Sequence, residues 1–214
     1  MPLVESTVAG ARPAPPAFAR LEGATVVLDD RAVLRGVDIE VATGLTVLRG
    51  PNGAGKTTAL RALAGLVPVL RGTADVAGDL LYLGHRPQLL HGLTPRENLE
   101  FFASYRRVRA RIAGALARWG LAGEADRPVE RLSAGQRRRA ALARLDTEAC
   151  AVLLLDEPFA ELDEEATGLL RGAIRGAVAR GAAVLVASHG HAELDAEAGR
   201  VYAIEDGAAR RVRG

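Results

Sequence analysis

Apolar and polar residues alternate strictly along Val37-Asp38-Ile39-Glu40-Val41, a period of two that predicts a strand with one buried face. Ala24 to Leu28 reads as a strand ahead of it, with an acidic turn at Asp29-Asp30 between the two. Thr73 to Val76 and Leu80 to Leu83 add sheet segments, so the early chain is expected to form a small β-rich lobe. Between Thr94 and Ala122 the period becomes helical. Thr94-Pro95-Arg96-Glu97 supplies an N-cap, a proline at the first helical position and an acid three residues after the cap. Leu99, Phe101, Phe102, Val108, Ile112, Leu116 and Trp119 give the apolar faces that follow. Ser133-Ala134-Gly135-Gln136 opens another helix, expected from Arg137 to about Leu145.

Two five-residue runs have no polar interruption, Ala151 to Leu155 and Ala183 to Ala187. Runs of this length fit strands buried on both faces of a parallel sheet. A charged helix from Glu164 to about Ala179 and a turn at Gly181 lie between them, which makes the strand-helix-strand unit of an open α/β sheet. Ligands of such sheets gather beyond the carboxyl ends of the strands. Val201 to Ile204 reads as a last strand, followed by a turn at Asp206-Gly207 and a basic tail.

The 214 residues are enough for one medium domain. Residues 1–20 are expected to be a flexible leader and 21–214 a single domain whose helical subdomain covers about 92–145. The leader has an acid at Glu5 and prolines at Pro13, Pro15 and Pro16 where a secretory signal needs a basic start and an apolar centre. No apolar run approaches the roughly 18 to 20 residues that span a bilayer, so work at a membrane would need another chain. Cys150 is the only cysteine, which excludes an internal disulfide framework and suits a reducing compartment. A net charge of +2 does not argue for nucleic acid. Arg106, Arg107, Arg109, Arg111 and Arg118 form a basic cluster, read either as a solvated helix face or as a docking surface for an acidic or membrane-embedded partner.

The candidate chemistry begins at Gly50-Pro51-Asn52-Gly53-Ala54-Gly55-Lys56-Thr57-Thr58, a complete G-x-x-x-x-G-K-T loop between an apolar strand and a run of helix formers. The glycines let backbone N–H groups curl around phosphate oxygens, and the helix that follows adds its N-terminal partial charge. Lys56 is expected at the outer phosphates of a bound nucleotide and Thr57 at Mg²⁺. All but one of the 28 basic residues are arginine, and the exception is Lys56. A compact ammonium enters a narrow phosphate cradle where a planar guanidinium does not fit. Asp156, at the end of a buried strand, can accept from Mg²⁺-bound water. Glu157 can hold the water that attacks the terminal phosphorus. His189, after the neighbouring strand, is positioned to sense the γ-phosphate.

Taken together these residues resemble the ATP-binding cassette family, over Leu21 to Gly207. Leu132-Ser133-Ala134-Gly135-Gln136 looks like that family's signature loop. The resemblance implies the P-loop NTPase fold of the ABC ATPase type, an α/β fold with a β-rich lobe and a small helical subdomain. It implies ATP and Mg²⁺ as ligands and transmembrane subunits as partners at the cytoplasmic face of the membrane. It also implies a head-to-tail pair of cassettes, identical or not, in which Ser133, Gly135 and Gln136 of one close on the ATP of the other. Glu161-Leu162-Asp163 looks like the loop that couples the two sites. Two departures stand out: Arg86 occupies the position of the usual glutamine, with Gln88 two residues later, and the aromatic ring that stacks on adenine is missing near Leu28. Within the family, Leu81 to Pro87, Leu93 to Leu99 and Leu132 to Leu145 are similar to the ATPase subunits of haem exporters in cytochrome c maturation. Two other readings stay open, a soluble cassette ATPase acting on nucleic acid or ribosomes and a nucleotide-binding regulator without hydrolysis. The former relatives carry a long coiled coil before the signature or a second cassette, and the Asp156-Glu157 pair argues against the latter.

Overall fold

The computed structural model describes residues 18–189 and 192–214, so the first seventeen residues of the expected leader lie outside it. Strand β1, Phe18–Leu28, already contains the leader's last three positions. It turns at Asp29 and Asp30, both with positive φ, into β2, Arg31–Val41. Together with β4, Arg71–Ala77, these strands make an antiparallel sheet in the order β2-β1-β4. The β-rich lobe is this sheet. Leu80 to Leu83 does not join it: β5, Leu80–Leu83, pairs parallel with β6, Val152–Asp156, in the second sheet.

That second sheet has the order β5-β6-β7-β3-β8-β9, where β3 is Gly44–Arg49, β7 Ala183–Ser188, β8 Arg200–Glu205 and β9 Ala208–Arg213. All neighbours are parallel except β8 and β9. Every residue of β6 and β7 is buried, because alternate side chains enter two different cores. Leu153, Leu155, Val184 and Val186 pack on the helices, while Val152, Leu154, Ala183 and Leu185 pack toward the antiparallel sheet and α1, Lys56–Leu63. This two-sided burial accounts for runs that lack any polar alternation. The expected basic tail is β9, an edge strand whose arginines keep its outer side polar.

The helices α2, Pro95–Tyr105, α3, Ile112–Arg118, α4, Ala134–Leu142, and α5, Arg144–Thr147, fall between β5 and β6. Thr94 and Glu97 form a reciprocal capping box at α2, and Ser133 and Gln136 form another at α4. Helix α4 thus starts three residues before the expected Arg137, which moves its arginines out of the first turn. Asn98, fully buried, accepts from the Leu90 amide and donates to the carbonyls of Leu90 and Thr94. Arg106 is not part of a solvated face. It reaches the fully buried Glu148 and the Leu80 carbonyl, and Glu148 also receives Arg144, whose guanidinium lies 3.6 Å over the Phe102 ring. Arg107, Arg109, Arg111 and Arg118 are exposed. Helix α6, Glu164–Ala179, capped by Asp163, links β6 to β7, and a short α7, Ala192–Glu197, precedes β8.

Candidate functional site

The register of the parallel sheet brings three strand ends to one level. Arg49 of β3 lies opposite Ser188 of β7, and Asp156 of β6 lies opposite Ala187. The phosphate loop, the Asp156-Glu157 pair and His189 therefore leave the sheet side by side, and all of them line a cleft of about 670 Å³. The loop has no room for a side chain at two of its glycines. A Cβ on Gly50 would stand 2.3 Å from the Ile204 carbonyl oxygen, and one on Gly55, at φ 109, would stand 2.8 Å from Leu34. The loop can pack against β2 and β8 because these two positions are bare.

Lys56 is 6% exposed, and its Nζ donates to the carbonyls of Gly50 at 2.7 Å and Pro51 at 3.1 Å. It also lies 3.4 Å from Glu157 Oε1, an ion pair that does not meet hydrogen-bond geometry. The other Glu157 oxygen, Oε2, is 2.9 Å from His189 Nδ1. With the carboxylate ionised, Nδ1 must be the donor. Glu157 is held in place by its backbone, which adopts φ 47 and donates its amide to the Ala187 carbonyl at 2.9 Å. Its carboxylate thus stands between the one lysine and the histidine.

Thr57 Oγ1 donates to Asp156 Oδ1 at 3.1 Å, while Oδ2 is buried with no partner. Burial pushes the Asp156 carboxyl above its ordinary value, Glu157 beside it adds to the rise, and the Thr57 hydroxyl opposes it. A desolvated carboxylate with an oxygen unused fits a hard cation better than it fits the bare fold. Among the described residues no group of three or more His, Cys, Asp or Glu side chains is arranged to hold a metal. Thr57 and Asp156 would therefore hold Mg²⁺ only together with phosphate oxygens.

Arg86 and Gln88 both line the cleft, so the segment after β5 brings the unexpected arginine and the displaced glutamine to the same wall. Tyr82, His85 and Arg61 are there too, none of which stood out in the sequence. Among the described residues no aromatic ring near Leu28 lines the cleft, where Val33 stands, and the Tyr82 ring enters it from β5. The signature residues are elsewhere. Ser133 is exposed, its side chain accepting from the Gln136 amide and Gln136 donating to Glu124. Ser133, Gly135 and Gln136 do not line the cleft of their own chain.

The ABC transporter family model matches residues 34–160. The cytochrome c biogenesis ATP-binding export protein CcmA of Paracoccus denitrificans is 46% identical over 149 residues, covering 69% of this chain and 70% of that protein. Its namesake in Ruegeria pomeroyi is 42% identical over 183 residues, covering 81% of this chain and 89% of that protein. Two solved structures share the fold. One is an ATP-binding subunit of an ABC transporter, with a TM-score of 0.82 at 21% identity over 91% of this chain and 90% of the other. The second, an ATP-binding cassette solved as a dimer in a post-hydrolysis state with ADP and Pi, has a TM-score of 0.80 at 19% identity over 92% and 99%. The fold is the P-loop NTPase fold of the ABC ATPase type, and the chain belongs to the ABC transporter family as one of its ATP-binding, ATP-hydrolysing subunits.

Proposed function

We propose that the chain couples ATP binding and hydrolysis to movement of a substrate through transmembrane partners, in the haem-export step of cytochrome c biogenesis, from the cytoplasmic face of the membrane. Among the described residues no helix is long and apolar enough to cross a bilayer, so the path would belong to those partners. The relatives of 41% to 46% identity are named as export proteins of that process, which supports the reading. Exposed aromatic surface at Phe101 and Tyr105, one turn apart on α2, offers a place for such a partner to sit.

The observation that carries the catalytic part is the convergence of Lys56, Thr57, Asp156, Glu157 and His189 on one cleft while Ser133 stands outside it. Loop amides and the Lys56 ammonium, released from its carbonyls, would take the negative charge of the β- and γ-phosphates. Thr57 and Asp156 would hold Mg²⁺, which would supply neutralisation of the phosphate charge. Glu157 would orient the attacking water and accept its proton, and His189 would keep the carboxylate aimed. Ser133, Gly135 and Gln136 of a second cassette would complete the site. No second reading, including nucleic-acid or ribosome work, has an observation in its favour.

Glu157→Gln tests this directly. The variant should bind ATP with Mg²⁺, fail to turn it over, and sediment as a dimer. A variant that stays monomeric under those conditions counts against the composite site.

A further inference from the structure

Arg138 is the signature-helix cation that solvent does not reach. It is 3% exposed, while Arg137 and Arg139 on either side are only partly covered. Among the described residues no carboxylate lies within ion-pairing distance of it. Its guanidinium spans three carbonyls instead: Nη1 donates to Gly84 and His85, each at 2.9 Å, and Nη2 donates to Glu157 at 2.7 Å. Its Nε is buried with no partner. Glu161 and Asp156 act on the guanidinium only from beyond pairing distance, and burial outweighs them. A buried cation so weakly compensated is costly, and an apolar side chain of similar volume would fill the same space more cheaply. The arrangement is therefore hard to explain as packing.

The three carbonyls share a location. Gly84 and His85 follow β5 and form one wall of the nucleotide cleft, and Glu157 follows β6 and forms another. Glu157 sits at φ 47, a conformation that side chains other than glycine rarely adopt and that its surroundings must hold in place. Its amide is tied to Ala187 of β7 and its carbonyl to Arg138 of α4. Both backbone groups are thus fixed, which sets the point and angle at which the side chain leaves the chain, and contacts with Lys56 and His189 hold its carboxylate from there. Arg138 lies five residues beyond Ser133, about 7.5 Å along the helix at 1.5 Å per residue. A helix this short moves as a rigid piece, so a shift at the exposed Ser133 corner reaches the guanidinium.

We propose that Arg138 is a positioning residue for hydrolysis. It joins the corner that a chain lends to its neighbour's ATP to the Glu157 carboxylate that works on its own ATP, so that the two sites inform each other through one side chain. The inference rests on the reading of Glu157 as the group that orients the water.

The test uses the full chain, with steady-state turnover of Mg-ATP and equilibrium binding of a fluorescent ATP analogue. Arg138→Met keeps the stem and removes the donors. It should lower kcat roughly 10- to 100-fold while KM and analogue affinity stay within about threefold. Arg138→Lys, which keeps the charge and part of the donor set, should recover some of that loss. In a Glu157→Gln background Arg138→Met should add nothing to the residual rate. Wild-type kcat in Arg138→Met, or a loss of kcat matched by loss of affinity, overturns the proposal. If Arg138→Met does not fold, Arg138→Lys decides: a reduced kcat at unchanged KM supports the role and a wild-type kcat ends it. Persisting turnover in Glu157→Gln brings down the Glu157 reading and this inference with it, whereas an inactive Glu157→Gln beside a wild-type Arg138→Met brings down this inference alone.

Discussion

The phosphate loop and the signature corner carry the two densest motifs in the chain, and the fold treats them in opposite ways. Around the loop, Lys56 is buried, every nearby carboxylate is in contact with a neighbour, and two glycines are bare because strands press against them. At the corner, Ser133 is exposed and its polar groups are spent on capping its own helix. A helix start that satisfies its own first donors and is open to solvent is rigid but unused within the chain. The contrast separates a cleft built from residues that meet within one chain from a corner that lines no part of that cleft.

Paired inactive chains give the strongest way to break this contrast. Lys56→Ala should abolish ATP binding, whereas Ser133→Glu should bind ATP normally and lose turnover, each by at least about 1000-fold in rate. Mixed in equal amounts, the two should regain up to about a quarter of the wild-type rate, since a random head-to-tail heterodimer keeps one intact site. No recovery in a mixture shown to form heterodimers would mean that the corner acts within its own chain.

Asp156→Asn sharpens the phosphate side. Burial already disfavours the charged carboxylate, so a neutral amide should raise stability by about 1 kcal/mol, or roughly 2 to 4 °C in Tm by calorimetry without nucleotide. The same change should remove the Mg²⁺ dependence of nucleotide binding. A lower Tm would mean that the unpartnered oxygen is better satisfied than its surroundings indicate.

The smallest effect concerns the other capping box. Thr94→Ala should cost about 1 kcal/mol in denaturant unfolding, with ATP turnover unchanged. The Thr94 amide and hydroxyl hold the Glu97 carboxylate below its ordinary value of 4.5. Its folded value is depressed, so the contribution is present above that pH and is lost as the pH falls through the lowered value. The Thr94 amide survives in Thr94→Ala and the bond from the Glu97 amide to the Thr94 hydroxyl does not titrate, so the gap between the two proteins should narrow in acid by the hydroxyl's share alone, and a gap that widens there would refute the assignment.

Motifs whose function is local were readable from sequence. The phosphate loop, the Thr94 cap and the ends of β6 and β7 lie where spacing put them, because each depends on a few consecutive residues. What escaped depends on long-range pairing. Nothing in Leu80 to Leu83 says which sheet it joins, and β9 alternates too little, with its arginines outward, to be told from a tail. Arg138 was hidden in a run of three arginines, although a signal existed. With Ala141, Leu142 and Leu145 it completes the i, i+3, i+4, i+7 spacing of a buried helix face, and all four residues are buried. The charge of the residue masked its place in the pattern.

The solitary lysine has a practical corollary. An amine-directed reagent finds a single ε-amino group on this polypeptide, and that group is clasped by the carbonyls of Gly50 and Pro51 at the bottom of the cleft. The extent of modification there becomes a one-site gauge of occupancy, readable by mass spectrometry without a dye, a tag or a substitution.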